Sequence, residues 1–200
     1  MKVFSAPPID KPDLLTGGSI SGEVTRCWMG SRLDAGSFQW AIGVDDSRLI
    51  FQTWVGCGAP RYNTAHQRGE FVEGLWNEDV VELFVMNSSG GYQEFNLSPA
   101  GAWWTCAFSS YRTRASEQRA FSPLFVEAHV TQTGWGALLG VALADISVVS
   151  PISEARMHVS SILTAGEQPR YLSSSPLSAK APDFHDEGCF SRVVLSCHSS

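Results

Sequence analysis

Charge is scarce in this chain: only 17% of its 200 residues are Asp, Glu, Lys or Arg. The charge that is present leans acidic, with a formal net value of -6. An acidic chain is repelled by nucleic-acid phosphates, and no cluster of Lys and Arg reverses this locally. The densest basic stretch holds Arg112, Arg114 and Arg119, but Glu117 interrupts it. A solvated loop is expected there, and no nucleic-acid partner. Long apolar runs are missing too. Nothing approaches the roughly 20 apolar residues of a membrane-spanning helix, so no membrane partner is expected. Pro7, Pro8 and Asp10 break the opening stretch before it reaches the length of a secretory signal. The five cysteines, Cys27, Cys57, Cys106, Cys189 and Cys197, are odd in number and contain no CxxC pair. Neither a full disulfide framework nor a zinc ribbon is indicated. Reduced thiols in the cytoplasm fit best, although a mature secreted chain relieved of its leader is compatible. GxSxG is absent, and no Cys stands beside a His in an interpretable motif, which disfavours a Ser or Cys nucleophile. With no internal repeat and no interior linker, residues 1–200 read as one domain.

Helical periodicity is almost absent. In its place, short apolar or alternating runs recur between Gly, Pro, Ser, Asn and Asp, as in an antiparallel two-sheet β-sandwich. Strands are expected at Phe38–Val44, Leu49–Val55, Asp79–Met86, Tyr92–Leu97, Trp103–Phe108, Leu124–Thr131, Gly134–Ala142, Met157–Leu163 and Arg170–Ser173. A long loop is expected over Gly56–Gly74, and a short helical turn within Leu143–Pro151. Seven Trp and eleven Phe supply core material, with one or two left as a flat stacking platform.

The most informative segment is Leu75–Gly101. Two alternating runs flank Asn87-Ser88-Ser89-Gly90-Gly91, a hairpin signal. Setting Met86 opposite Tyr92 puts Phe84 opposite Glu94, Glu82 opposite Asn96 and Val80 opposite Ser98. Val81, Leu83, Val85, Phe95 and Leu97 then share one apolar face, with Gln93 at its exposed tip. The other face mixes Glu82, Glu94, Asn96 and Tyr92 with Val80, Phe84 and Met86. A slip of one residue would invert the apolar set, so the pattern selects this register. The apolar side is the expected core. The mixed side is a solvated outer face, a glycosidase-like acid and base pair, a hydrogen-bonding site for sugar hydroxyls or a calcium site.

Leu75, Trp76, Asp79, Glu82 and Phe84, then Tyr92-Gln93-Glu94-Phe95-Asn96-Leu97-Ser98-Pro99, Gly101, Trp103 or Trp104, Phe108 and Tyr111-Arg112 follow one another in a recognisable order. With Tyr171-Leu172, Pro182-Asp183-Phe184-His185 and Phe190, this order resembles bacterial DOMON-like proteins of the family-nine carbohydrate-binding type. The resemblance runs from about Phe51 to Phe190. It implies a jelly-roll-like sandwich that binds a carbohydrate or other small polar ligand. By position, Glu82, Tyr92, Glu94, Asn96, Arg112 and His185 are the candidate hydrogen-bonding residues, and Trp76 the candidate platform. Leu172 stands where the family has the Trp of a Tyr-Trp pair, which would remove one stacking ring. Val80-Val81 replace a common Cys-Phe.

A non-catalytic binding domain is the leading expectation. A haem domain is an alternative, because other DOMON relatives ligate haem through Met and His. Met29, Met86 and Met157, with His66, His129, His158 and His185, supply ligand types, but no spacing singles out a pair. The third reading is glycoside hydrolysis by Glu82 and Glu94. No motif supports calcium or haem, so no cofactor is expected. Arg112 is the expected counter-charge for the two carboxylates. Asp183 or His185 is expected to tie the C-terminal segment to the sandwich, with the rim of the ligand face as the sharper assignment for His185.

Overall fold

Alternating side chains give strands, and here they build two antiparallel sheets in a computed structural model. It describes residues 18–28, 30–32, 37–118, 121–146, 152–164, 169–177 and 181–192. Met29, Arg119, Cys197 and the opening stretch 1–17 lie outside the described residues. The first sheet runs in the order β1 (Gly18–Val24), β2 (Phe38–Val44), β3 (Arg48–Gly56), β9 (Gly134–Ala142), β8 (Phe125–Val130). The second runs β11 (Arg170–Ser173), β10 (Arg156–Leu163), β4 (Val80–Met86), β5 (Tyr92–Leu97), β6 (Trp103–Ser110), β7 (Thr113–Arg114). A two-residue strand, β12 (Ser191–Arg192), adds to β10. Among the described residues, no helix is long and apolar enough to cross a membrane.

The nine expected strands all form, four of them with the expected ends. The helical turn expected within Leu143–Pro151 forms as a 3-10 turn at Leu143–Asp145, and a second follows at Ile152–Glu154. Strands β1, β7 and β12 were not anticipated. In β1, Gly22 interrupts the apolar alternation, and the ring of Trp40 on β2 covers the gap. A Cβ on Gly22 would lie 2.6 Å from that ring.

The hairpin adopts the expected register, with Met86 opposite Tyr92, Phe84 opposite Glu94 and Glu82 opposite Asn96. Its turn is closed by Asn87, whose Oδ1 accepts from the Ser89 and Gly91 amides at 2.9 and 3.0 Å. Gly90 supplies the left-handed residue, φ 89°. Val81, Leu83, Val85, Phe95 and Leu97 face Phe38, Phe51, Trp135 and Leu139 in the layer between the sheets. Gln93 departs from expectation: it is buried, and its amide donates to Thr105 Oγ1 on β6 at 3.1 Å.

The opposite face of the hairpin is not solvated. Val80, Phe84, Met86 and Tyr92 form a second apolar cluster with Leu75, Phe108, Phe184 and Phe190. The closing segment 181–190 crosses this face and covers it. The second sheet is thus packed on both sides, which explains why Glu82, Glu94 and Asn96 are buried.

Candidate functional site

The cover over the second sheet is incomplete. A cavity of about 400 Å³ lies between the sheet and the closing segment. Glu82 and Glu94 lie on its sheet side. Trp76, Trp104, Phe108 and Tyr171 contribute aromatic surface, and Arg112, Arg114, Phe184 and His185 complete much of the lining. Of the seven site residues expected from sequence, Trp76, Glu82, Glu94, Arg112 and His185 line the cavity directly. Tyr92 and Asn96 bond to residues that do.

Trp76 is positioned by the turn that leads into β4. Gly74 takes a left-handed φ of 94° and starts a 3-10 turn, Leu75–Asn77, that buries Leu75 in the second cluster. Trp76 is left partly exposed, its ring edge-on to Trp104 at 5.1 Å and 72°. Buried Asp79 anchors the end of this turn. Its carboxylate accepts from the Thr164 amide and hydroxyl at 2.6 and 2.9 Å, and from the Arg61 amide at 3.1 Å.

The two carboxylates lie diagonally across β4 and β5, 3% and 4% exposed. Glu82 Oε2 accepts from Ser160 Oγ at 2.7 Å, and Glu94 Oε1 accepts from Asn96 Nδ2 at 3.0 Å. The remaining oxygens, Glu82 Oε1 and Glu94 Oε2, accept no hydrogen bond from the described residues. Burial pushes both carboxyls well above the usual carboxylate range, and Glu94 is raised further by the charge of Glu82. The guanidinium of Arg112 opposes these shifts from a distance.

Arg112 is not the direct partner of that pair, contrary to expectation. Its Nη2 donates to Asp183 Oδ1 at 2.9 Å. Asp183 also accepts from Tyr111 Oη at 2.5 Å, and its carboxyl is held below the usual range by these donors despite partial burial. The reason is placement. Arg112 sits in the turn between β6 and β7 with a left-handed φ of 50°, a conformation that costs a non-glycine residue about 1 kcal/mol. Its amide is held there by the Tyr92 hydroxyl at 3.0 Å. The turn therefore presents the guanidinium to the closing segment instead of the sheet. Arg114 likewise pairs with Glu73 and lies over the Trp104 ring at 5.4 Å. Arg112 and Arg114, expected in a solvated loop, are exposed as expected but lie on a short hairpin at the cavity rim.

His185 ties the closing segment to the sheet and also lines the cavity. Tyr92 Oη lies 2.7 Å from His185 Nδ1 and has no other acceptor among the described residues, so it donates there. The ring proton is then on Nε2, which faces Glu94 Oε2 at 3.8 Å, beyond hydrogen-bond reach. Burial, helped by Arg112, pushes the imidazole down to about 4, so it is neutral near pH 7.

Several residues in or behind the cavity were missed by sequence reasoning. Trp104 and Tyr171 stand in the motifs that carried the resemblance, and strand pairing places Trp104 beside Asn96. Asp183, expected as a tie for the C-terminal segment, bonds Tyr111 and Arg112. Ser160 had no signal, because its pairing with Glu82 requires β10 to lie against β4. Leu172 is buried between the sheets, so the residue replacing the family Trp points away from the cavity. Apart from the cavity-lining His185, the described candidate haem ligands are engaged in packing or hydrogen bonds or lie away from the cavity, and Met29 lies outside the described residues. Met157 is in the intersheet core, Met86 Sδ takes Arg156 Nη2 at 3.1 Å, and both ring nitrogens of His158 are hydrogen-bonded. His129 is exposed, and His66 lies by Asn63 and Glu78. Among the described residues, no group of three or more His, Cys, Asp or Glu side chains is arranged to hold a metal ion.

No family model matches the sequence, and no curated protein matches it. Solved structures do. One is a Bacteroides uniformis protein described as a candidate carbohydrate-binding protein. It superposes with a TM-score of 0.63 at 15% identity, over 86% of this chain and 84% of that one. Another is a carbohydrate-binding module of family 9 from Caldicellulosiruptor kristjanssonii in complex with cellotriose. It gives a TM-score of 0.53 at 12% identity, over 94% of this chain and 88% of that one. At these identities the likeness is one of fold: the chain has the β-sandwich architecture of carbohydrate-binding modules.

Proposed function

We propose that this chain is a non-catalytic carbohydrate-binding domain of DOMON-like type, and that the cavity over the second sheet is its site. One observation carries the reading. Two buried carboxylates keep an uncommitted oxygen each at the floor of a cavity with an exposed indole at its mouth. Carboxylates are strong acceptors for hydroxyl groups, and an indole face suits the apolar face of a pyranose. The cavity volume falls within the range of small-ligand sites. The fold neighbour that holds cellotriose makes β-linked gluco-oligosaccharides the first ligands to try. A reducing, cytoplasmic setting belongs to the same reading, since the four described cysteines are free thiols.

A glycan array followed by calorimetry, with and without calcium, tests the proposal. Wild-type protein should bind a defined glycan, and Trp76→Ala should weaken that binding by about tenfold or more while the fold is retained. No binding to any glycan, or unchanged affinity in Trp76→Ala, counts against it. The diagonal placement of Glu82 and Glu94 keeps glycoside hydrolysis as a second reading. Release of reducing ends that disappears in Glu94→Gln would decide for hydrolysis.

A further inference from the structure

The charges around the cavity do not balance at its floor. On the rim, Arg112 is paired with Asp183 at 2.9 Å and Arg114 with Glu73 at 2.5 Å, so these four charges cancel in pairs. His185 is neutral near pH 7. Tyr92 and Cys106, the other titratable groups near Glu94, are uncharged there as well, since burial raises the pKa of both. From β10, Ser160 brings a hydroxyl and no charge. Among the described residues, Glu82 and Glu94 are thus left as two adjacent acids without a cation in contact, each with one oxygen that accepts no hydrogen bond.

A neutral polyol can donate hydroxyls to those oxygens, but near pH 7 the raised carboxyls hold a proton against their mutual repulsion, and a neutral ligand leaves the pair in that state. A protonated amine supplies up to three donors and a positive charge at the same point, and so relieves both deficits. Trp76, Trp104, Phe108 and Tyr171 add ring surface that accepts an apolar sugar face and favours a nearby cation.

We propose that the cavity selects an amino sugar, a pyranose whose protonated amine sits between Glu82 and Glu94. The inference rests on the carbohydrate-binding reading above and narrows it to one ligand class. The ammonium donates to Glu82 Oε1 and Glu94 Oε2, while Ser160 and Asn96 keep the other two oxygens in place. Trp76 covers one face of the ring.

Calorimetric titration near pH 7 with four probes tests this: the methyl glycosides of glucose, of 2-amino-2-deoxyglucose and of its N-acetyl derivative, and methylammonium. The amino glycoside should bind at least about tenfold tighter than the glucoside, and N-acetylation should remove the advantage. Glu82→Gln and Glu94→Gln should each erase most of the preference with a smaller effect on the neutral glycoside. The wild-type comparison needs no variant, so a misfolded mutant does not blunt the test. Equal or tighter binding of the neutral or acetylated glycoside overturns the amine selectivity and leaves carbohydrate binding standing. Binding of methylammonium with no sugar overturns the carbohydrate reading and the amino-sugar assignment while keeping a cation site. Failure of all four probes overturns the amino-sugar assignment.

Discussion

Acidification should loosen the segment that closes the cavity, and His158 is the group that should report it. His158 is fully buried on β10, stacked on Phe84 with ring centres 5.7 Å apart. Its Nδ1 lies 3.2 Å from the Phe184 carbonyl, which can only accept, so Nδ1 carries the proton. Nε2 lies 2.9 Å from Ser173 Oγ, whose single proton is shared between Nε2 and the Ser175 carbonyl. Loss of hydration holds the imidazole down to about 4, against an ordinary value of 6.5, although the Phe184 carbonyl favours the charged form. Between these values the unfolded chain binds a proton that the folded chain refuses. The stability contributed by neutral His158 is therefore complete above about 6.5 and is lost as pH falls towards 4. At about 1.4 kcal/mol per pH unit, the gap corresponds to about 3 kcal/mol. Urea unfolding of the wild type and of His158→Gln, at about pH 7.5 and about pH 4, measures it. Subtracting the variant removes the other titrating groups. The wild type should lose about 3 kcal/mol more than the variant over that range. An NMR titration placing the folded-state His158 pKa near 6.5, or parallel pH profiles for the two proteins, would refute the argument.

Two further perturbations probe the sheet itself. Leu83→Ala should destabilise by about 2–5 kcal/mol in urea titrations, because Leu83 is fully buried between the sheets. A loss under about 1 kcal/mol would contradict its place in the core. Glu82→Gln should raise the melting temperature at about pH 8 and leave it nearly unchanged at about pH 4. The carboxyl is pushed above its ordinary 4.5 in the folded state, so folding favours its proton. The wild-type chain then loses stability as pH rises above about 4.5, and an uncharged amide does not. A lower melting temperature for the variant at alkaline pH would refute the argument, because the ionised carboxylate would then stabilise the fold.

The sequence by itself determined what depends on local periodicity. Strand parity is set by the alternation of side chains along a few residues, so the register from Val81–Met86 against Tyr92–Leu97 was legible from the apolar set alone. The same parity put Glu82, Glu94 and Asn96 on one face. It failed where a strand borrows its apolar surface from a neighbour, as β1 does at Gly22 beneath Trp40, and where only two residues pair, as in β7 and β12. Tertiary structure decided whether the mixed face meets water. Residues 181–190 fold over it, and nothing in the hairpin's own pattern requires that cover. The cover turns the carboxylates from solvated side chains into a desolvated pair. It also takes Arg112 as the partner of Asp183, 71 residues away. The Leu172 substitution was readable as a departure, but only the packing of β11 shows that the side chain points into the core. Contacts between residues far apart in the chain depend on how the layers close. A period-two pattern carries which face a residue occupies, and not what comes to lie against that face.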